Sequence, residues 1–398
     1  VTSPIPKAQK NKRSIENYLF SYNDLSIFGQ PKAIENRMGI IDNLGVQYGM
    51  SEMPGRRGHM EDAMHIEVFD DVGQQQIILM AVCDGHGDNG LVSNFVASNV
   101  TGMLKECMKN TGNNSKDWET IWYSTCMQLD SKLKDSEITT GGSTGVFVLV
   151  TEQEIVVANV GDSRCILIHN EDEKSMLQKD DEATDAPNIS ATNEKESLET
   201  PELLDESAIP SGVEEDNMVE SQNGSARKAT AVVRALSEDH KPDLPSERAR
   251  IEKAGFQVVS IEFEEDGKMI KIHKVAKSET DKLALSRAFG DFDYKCNTEL
   301  AENEQAVIPI AEVQVHKRDP RNDLLLVLAC DGVYDVMNNQ EVMDYVHHQV
   351  EIKSKALSET LLPDIADALL MECLKRGSRD NMSAIRSEEH TSELQSRQ

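Results

Sequence analysis

The sequence predicts a layered α+β domain, and two observations carry the prediction. First, two continuous apolar runs, residues 77–83 and 324–330, each end in aspartate and glycine, Asp84-Gly85 and Asp331-Gly332. Short apolar runs closed by a turn signal read as strands buried on both faces, and each delivers a carboxylate at its tip. Second, strand-like segments come in groups, then helix-like segments, then more strands, which suits packed layers better than a β-α-β array. Two acids on two buried strands, far apart in the chain, point to a shared site for hard metal ions. The glycine after each lets the backbone come close to whatever the carboxylate holds.

The elements follow in order. Residues 1–44 read as an N-terminal extension with a basic start and a modest apolar patch (Tyr18, Leu19, Phe20, Leu25, Phe28). Strands are expected at 46–50, 64–69 and 76–83. Val92, Phe95, Val96, Val100 and Leu104 recur at helical spacing, as do Trp118, Ile121, Trp122, Thr125 and Leu129. Three strands come next, at 143–150, 154–160 and 164–168. The composition then changes: from Glu171 to Gln222 there is no aromatic residue, and 17 acids face three bases. Such a stretch buries too little apolar area to offset its ordering entropy. It reads as a disordered acidic insertion over 171–224, because strand-like sequence resumes at 229–233. A helix follows at 245–254, with Pro245 in its first turn and Gly255 at its end. Helices fit 340–350 and 366–374, and a last strand begins at 381–385. Residues 386–398 resemble a translated sequencing adapter and are expected to be an artefact.

Bulk properties narrow the function. The 398 residues have room for one large domain or two ordinary ones. A net charge of -29 argues against a nucleic-acid partner, which needs positive surface. No segment is long and apolar enough to span a membrane, and no secretory signal is evident. The seven cysteines show no Cys-x-x-Cys pair. Cys83, Cys165 and Cys330 sit in apolar strands and are expected to be buried, reduced core thiols, which suits the cytoplasm or nucleus.

Besides Asp84 and Asp331, three clusters stand out: Arg57-Gly58-His59-Met60-Glu61-Asp62, Asp239-His240-Lys241-Pro242 and Ser378-Arg379-Asp380-Asn381. With Gly142-Ser143-Thr144, Asn159-Val160-Gly161-Asp162-Ser163-Arg164 and Leu285-Ser286-Arg287-Ala288-Phe289-Gly290-Asp291, they stand in an order that resembles the metal-dependent protein serine/threonine phosphatases of type 2C. The likeness covers residues 45–385 apart from the insertion. It implies a central β-sandwich of two antiparallel sheets flanked by helices on both faces. It also implies a binuclear Mg²⁺ or Mn²⁺ site, ions that prefer oxygen ligands and keep several waters.

The resemblance implies residue roles. Asp84 bridges two ions. Asp331 and Asp380 hold one; Glu61 and the Gly85 carbonyl hold the other. Asp62 orients the waters of the site, Arg57 pairs with the substrate phosphate, and His86 is the general acid. Asp239 resembles a ligand to a third, weaker ion shared with Asp331, and Asp335 joins from behind. His240 is expected to be a hydrogen-bonding strut, and Asp162 and Arg164 a buried structural pair. The long charged stretch 255–283 falls where the family has its flap, and is expected to set substrate choice. The expected activity is hydrolysis of phosphoserine and phosphothreonine without a phosphoenzyme, by a monomer acting on phosphoprotein substrates. The competing reading is a pseudophosphatase scaffold recruiting partners through its acidic insertion.

Overall fold

The computed structural model describes residues 11–13, 34–71, 73–111, 117–171, 230–265, 268–354 and 361–389. The chain divides into two units, 171–230 and the remainder. The former lies outside the described residues except at its two ends, and with it the expected insertion.

The larger unit is built on two main antiparallel sheets. One has five strands in the order β16 (Glu312–Lys317), β9 (Glu154–Val160), β8 (Gly145–Val150), β5 (Gln76–Cys83) and β4 (Ala63–Asp70). The other has seven: β1 (Asn11–Arg13), β2 (Ile34–Ile41), β3 (Val46–Met53), β18 (Met382–Glu389), β17 (Asp323–Ala329), β10 (Arg164–Glu171) and β11 (Thr230–Ala235). Period-2 alternation sends successive side chains to opposite faces, and the three layers of core follow from it. Ile78, Met80 and Val82 of β5 meet Leu326 and Leu328 of β17 between the sheets. Ile77, Leu79, Ala81 and Cys83 face the other way, against α1 (Leu91–Thr111) and α2 (Trp118–Lys134). Behind the seven-stranded sheet, Val327 and Ala329 pack against α4 (Asp331–Tyr334), α5 (Asn339–Ser354) and α6 (Leu361–Lys375). The α-β-β-α layering is the expected architecture, and the fully buried strands β5 and β17 are its centre.

Three features differ from expectation. β2 lies within the segment read as an N-terminal extension, yet it pairs with β3 from Glu35↔Glu52 to Ile41↔Val46. Its apolar residues are interrupted by Glu35, Asn36, Arg37 and Gly39, so no clean alternation announces it. The expected strand 143–150 is split at Thr144. Its first part, β7 (Gly142–Ser143), joins a separate small sheet with β6 (Gly85–His86) and β15 (Phe289–Gly290). The last strand, placed from 381 to 385, continues to Glu389, in register with β3 throughout and with β17 as far as Glu388.

The charged stretch after α3 (Pro245–Lys253) forms a long hairpin, β12 (Gln257–Glu265) with β13 (Lys268–Ala276), extended by β14 (Lys282–Leu283). α3 carries proline in its first turn, and Gly255 just beyond it has φ +93°, as a helix end requires.

Candidate active site

The tips of β5 and β17, lying in facing sheets, bring Asp84 and Asp331 together. A carboxyl oxygen of Asp62, one of Asp84 and the Cys330 sulfur lie within 4.8 Å of one another. Asp380, just before β18, belongs to the same cluster. Burial pushes the Asp84 and Asp331 carboxyls well above the usual range, and neighbouring acids push the same way: Asp62, Asp331 and Asp162 act on Asp84, and Asp162, Asp335 and Asp380 on Asp331. Burial likewise lifts Asp62 to about 7, against hydrogen bonds that oppose the shift. So many acids held together with so little compensation constitute a site built for positive charge.

The acids are held by a small set of contacts. The Asp84 amide donates to Thr144 Oγ1 at 3.1 Å, and its carbonyl accepts from the Thr144 amide at 2.8 Å. Thr144 in turn meets Ser163 Oγ at 2.8 Å. Ser383 donates to Asp62 Oδ2 at 2.8 Å. Asn381 staples the Arg57–Asp62 loop: its amide nitrogen donates to the Pro54 and His59 carbonyls, and its Oδ1 accepts from the Glu61 amide at 2.7 Å. The glycines after the two aspartates are also needed for packing. A Cβ on Gly85 would meet the Glu61 carbonyl at 2.3 Å, and one on Gly332 the Asn381 carbonyl at 2.1 Å. Each glycine lets a neighbouring acid-bearing loop close over the strand tip.

Two buried oxygens test whether cations fit. Asp62 Oδ1 and Asp331 Oδ1 are inaccessible and have no hydrogen-bond partner in the described structure. Leaving such atoms unmet is costly. An all-oxygen donor set with orphaned carboxylate oxygens fits Mg²⁺ or Mn²⁺. The Cys330 thiol in their midst is pushed well up by burial and by Asp62, so it stays protonated and is core, as expected.

At the rim, Glu61 Oε1 accepts from the Asn89 amide at 3.0 Å. Arg57 Nη2 lies 2.6 Å from Asp380 Oδ2, with its side chain half exposed. Gly85 pairs with Ser143 and His86 with Gly142 in the small sheet. His86 Nε2 lies 2.9 Å from Asp291 Oδ2. Burial opposes its charged form, but the Asp291 carboxylate outweighs this and holds the imidazole above its ordinary value.

The sequence matches the family described as Protein phosphatase 2C over residues 46–188 and 218–382. The chain belongs to the protein phosphatase 2C family. It is 27% identical over 362 residues to Protein phosphatase ppm-1.A of Caenorhabditis elegans, covering 86% of this chain and 58% of the worm protein. It is 28% identical over 353 residues to human Protein phosphatase 1A, covering 86% and 70%. A crystal structure of a phosphatase from Toxoplasma gondii superposes with a TM-score of 0.58 at 22% identity, covering 87% of this chain and 93% of that one. The serine-threonine phosphatase 2C of the same organism gives 0.57 at 17%, covering 86% and 94%. These two likenesses concern the fold.

Within this 2C-type site, one expected pairing is overturned, and it changes the surroundings of Asp239. Asp162 and Arg164 do not pair. Arg164 grips both oxygens of Asp239, at 3.0 and 2.9 Å, and stacks on Tyr334. Asp162 is instead bonded to Lys241. Each Asp239 oxygen thus already meets a guanidinium nitrogen, whereas the resemblance had implied a role for it at an ion shared with Asp331. Asp162 is the acid that acts most on Asp331, with Asp335 next. Sequence reasoning passed over Asp162 because its neighbour Arg164 offered an obvious counter-charge. His240 is the expected strut: its Nδ1 accepts from the Gly161 amide at 3.2 Å, fixing the loop that carries Asp162. Asp88, also passed over, accepts the amides of Gly90, Leu91 and Val92 and caps α1.

Proposed function

We propose that the chain hydrolyses phosphoserine and phosphothreonine in proteins with two divalent ions, Mg²⁺ or Mn²⁺. The observation that carries the reading is the cluster of Asp62, Asp84, Asp331 and Asp380, charge-frustrated and with two buried oxygens lacking partners. Asp84 would bridge the pair, Asp331 and Asp380 would hold one ion, and Glu61 with the Gly85 carbonyl the other. A third, weaker ion would fall to Asp162, Asp331 and Asp335. Bound there, the ions supply an activated water and neutralise charge on the phosphoryl oxygens.

The protein's own residues do the rest. Asp62, held by Ser383, orients water through its unpartnered oxygen. Arg57, on an exposed arm, is released from Asp380 to fork onto the phosphate. His86 protonates the leaving seryl or threonyl oxygen. His273 of β13 lies 3.1 Å from Asp243, two residues after the Lys241 that bonds Asp162, which supports reading the β12–β13 hairpin as the flap. Its lysines then select among phosphopeptides. Cytoplasm or nucleus is the compartment that suits its free cysteines, six of the seven buried.

Phosphate release from phosphoserine and phosphothreonine peptides, with added Mn²⁺ and then with EDTA, tests the reading. Release that needs the ion and that Asp331→Ala abolishes supports it. A protein that binds Mn²⁺ calorimetrically but releases no phosphate from any peptide is the scaffold instead.

A further inference from the structure

We infer that Asp291 is the positioning residue for His86, and that the buried Asp130–Lys295 pair sets the turn that presents it; this rests on His86 being the general acid. Asp291 is one of three described non-glycine residues with positive φ, at φ +48°, ψ +42°. That conformation costs about 1 kcal/mol or more for a residue with a Cβ, and it persists only where the surroundings impose it. Here they do. The Asp291 amide donates to the Gly141 carbonyl at 2.8 Å. The Gly290 amide donates to Asp130 Oδ1 at 2.8 Å, and Lys295 Nζ bonds both Asp130 oxygens, at 2.9 and 2.8 Å, and the Ala288 carbonyl at 2.9 Å. Asp130, from α2, thus grips the turn from behind through two contacts at once.

The product of this arrangement is one carboxylate aimed at one imidazole. The Asp291 side chain is 9% exposed, and its Oδ2 sits 2.9 Å from His86 Nε2. The space between is kept clear: a Cβ on Gly142 would lie 2.1 Å from Asp291 Oδ2 and 2.7 Å from His86 Nε2. With Nε2 held by Asp291, Nδ1 is the ring atom left to give up a proton. It passes to the seryl or threonyl oxygen as that oxygen's bond to phosphorus breaks. A water oxygen bonds to phosphorus in its place and loses its proton to solvent. A group of this kind fixes the ring's orientation and tautomer without touching substrate.

The test compares two leaving groups in the full-length chain at saturating Mn²⁺. A phosphothreonine peptide needs a proton on its leaving oxygen; p-nitrophenyl phosphate does not. Asp291→Asn keeps the shape, and asparagine tolerates the left-handed backbone. It is expected to lower kcat on the peptide by about 10–100-fold with KM unchanged, and to leave the aryl phosphate within about twofold. In a His86→Ala background it should cost nothing further on the peptide. Equal losses on both substrates, or the same loss without His86, overturn the inference. A His86→Ala enzyme that is itself equally slowed on both substrates removes the general-acid reading and the inference with it. If Asp291→Asn melts early, Asp130→Asn must show the same substrate-selective loss, and an unselective one refutes the inference.

Discussion

The Asn381 side chain and the Glu61 backbone meet at 2.7 Å across 320 residues of sequence. This contact ties the first acidic loop to the start of the last strand, and two further bonds from the Asn381 amide to Pro54 and His59 complete the tie. Asn381 has no carboxylate to offer a cation, yet it sets where Glu61 and Asp62 stand relative to Asp380. Asn381→Ala is expected to weaken Mn²⁺ binding by about 10–100-fold, the usual cost of losing a group that orients ligands. A calorimetric Mn²⁺ titration checks it; unchanged affinity shows that the loop holds its shape alone.

The raised carboxyls of Asp84 and Asp331 make a statement about stability. Their folded pKa values lie above those of the unfolded chain. The metal-free fold therefore binds more protons than the unfolded state, and its stability falls as pH rises from about 4 toward the raised values. Divalent ions bound as proposed would reverse this by meeting the charge. Melting curves should show a lower Tm for metal-free protein at pH 8 than at pH 6, with the gap narrowed by Mn²⁺. Asp84→Asn should raise the metal-free Tm by about 2–6 °C and lose most of the Mn²⁺-dependent gain. A drop in the metal-free Tm of that variant contradicts the repulsion inferred for the cluster.

The chemistry of this site was more legible than its wiring. The acids could be found because buried strands that end in Asp-Gly are conspicuous, and because Glu61, Asp62 and Asp380 sit in dense polar clusters between apolar segments. Partnerships were not legible, since sequence proximity suggests pairs that space does not honour. Arg164 stands two residues from Asp162 but reaches Asp239 instead, 75 residues on. The hydrogen bond from His86 to Asp291 spans 205 residues and has no local signal except the glycines around it. In the fold, the fully buried strands were readable from their apolar runs. The strand β2 was not, because Glu35, Asn36, Arg37 and Gly39 interrupt its apolar residues and leave no clean alternation.

Glu247 offers a pH test away from the active site. It is 1% exposed, on α3, between Arg287 at 2.8 Å and Arg250 at 2.8 Å. Burial alone would raise its pKa, but Arg287 and then Arg250 bring it down to about 2. Because the folded value is depressed, its contribution is complete above the unfolded value of about 4.5 and is lost as pH falls toward 2. The shift is worth on the order of 3 kcal/mol. Glu247→Gln should therefore lower Tm clearly at pH 7 and much less near pH 3, a convergence that urea titrations at the two pH values can read. A constant penalty at both would assign the loss to packing rather than to charge.

Arg386 makes the opposite case, a charge whose removal should help. Strand alternation puts it on the face of β18 that carries Met382 and Ala384 into the helix-side core. It is 2% exposed. Its ion pair is with Glu388, two residues along the same strand, and none of its side-chain nitrogens has a hydrogen-bond partner in the described structure. Burial lowers its pKa to about 9, a measure of how poorly the charge is met. Valine at this position keeps the strand propensity and suits an apolar surrounding. Replacing a buried, ill-satisfied charge by a hydrophobic residue commonly stabilises by about 1–4 kcal/mol. Arg386→Val is expected to raise the urea midpoint with an unchanged slope and to leave Mn²⁺ affinity as it was. A fall in the midpoint would mean that the guanidinium has partners that the strand register does not reveal.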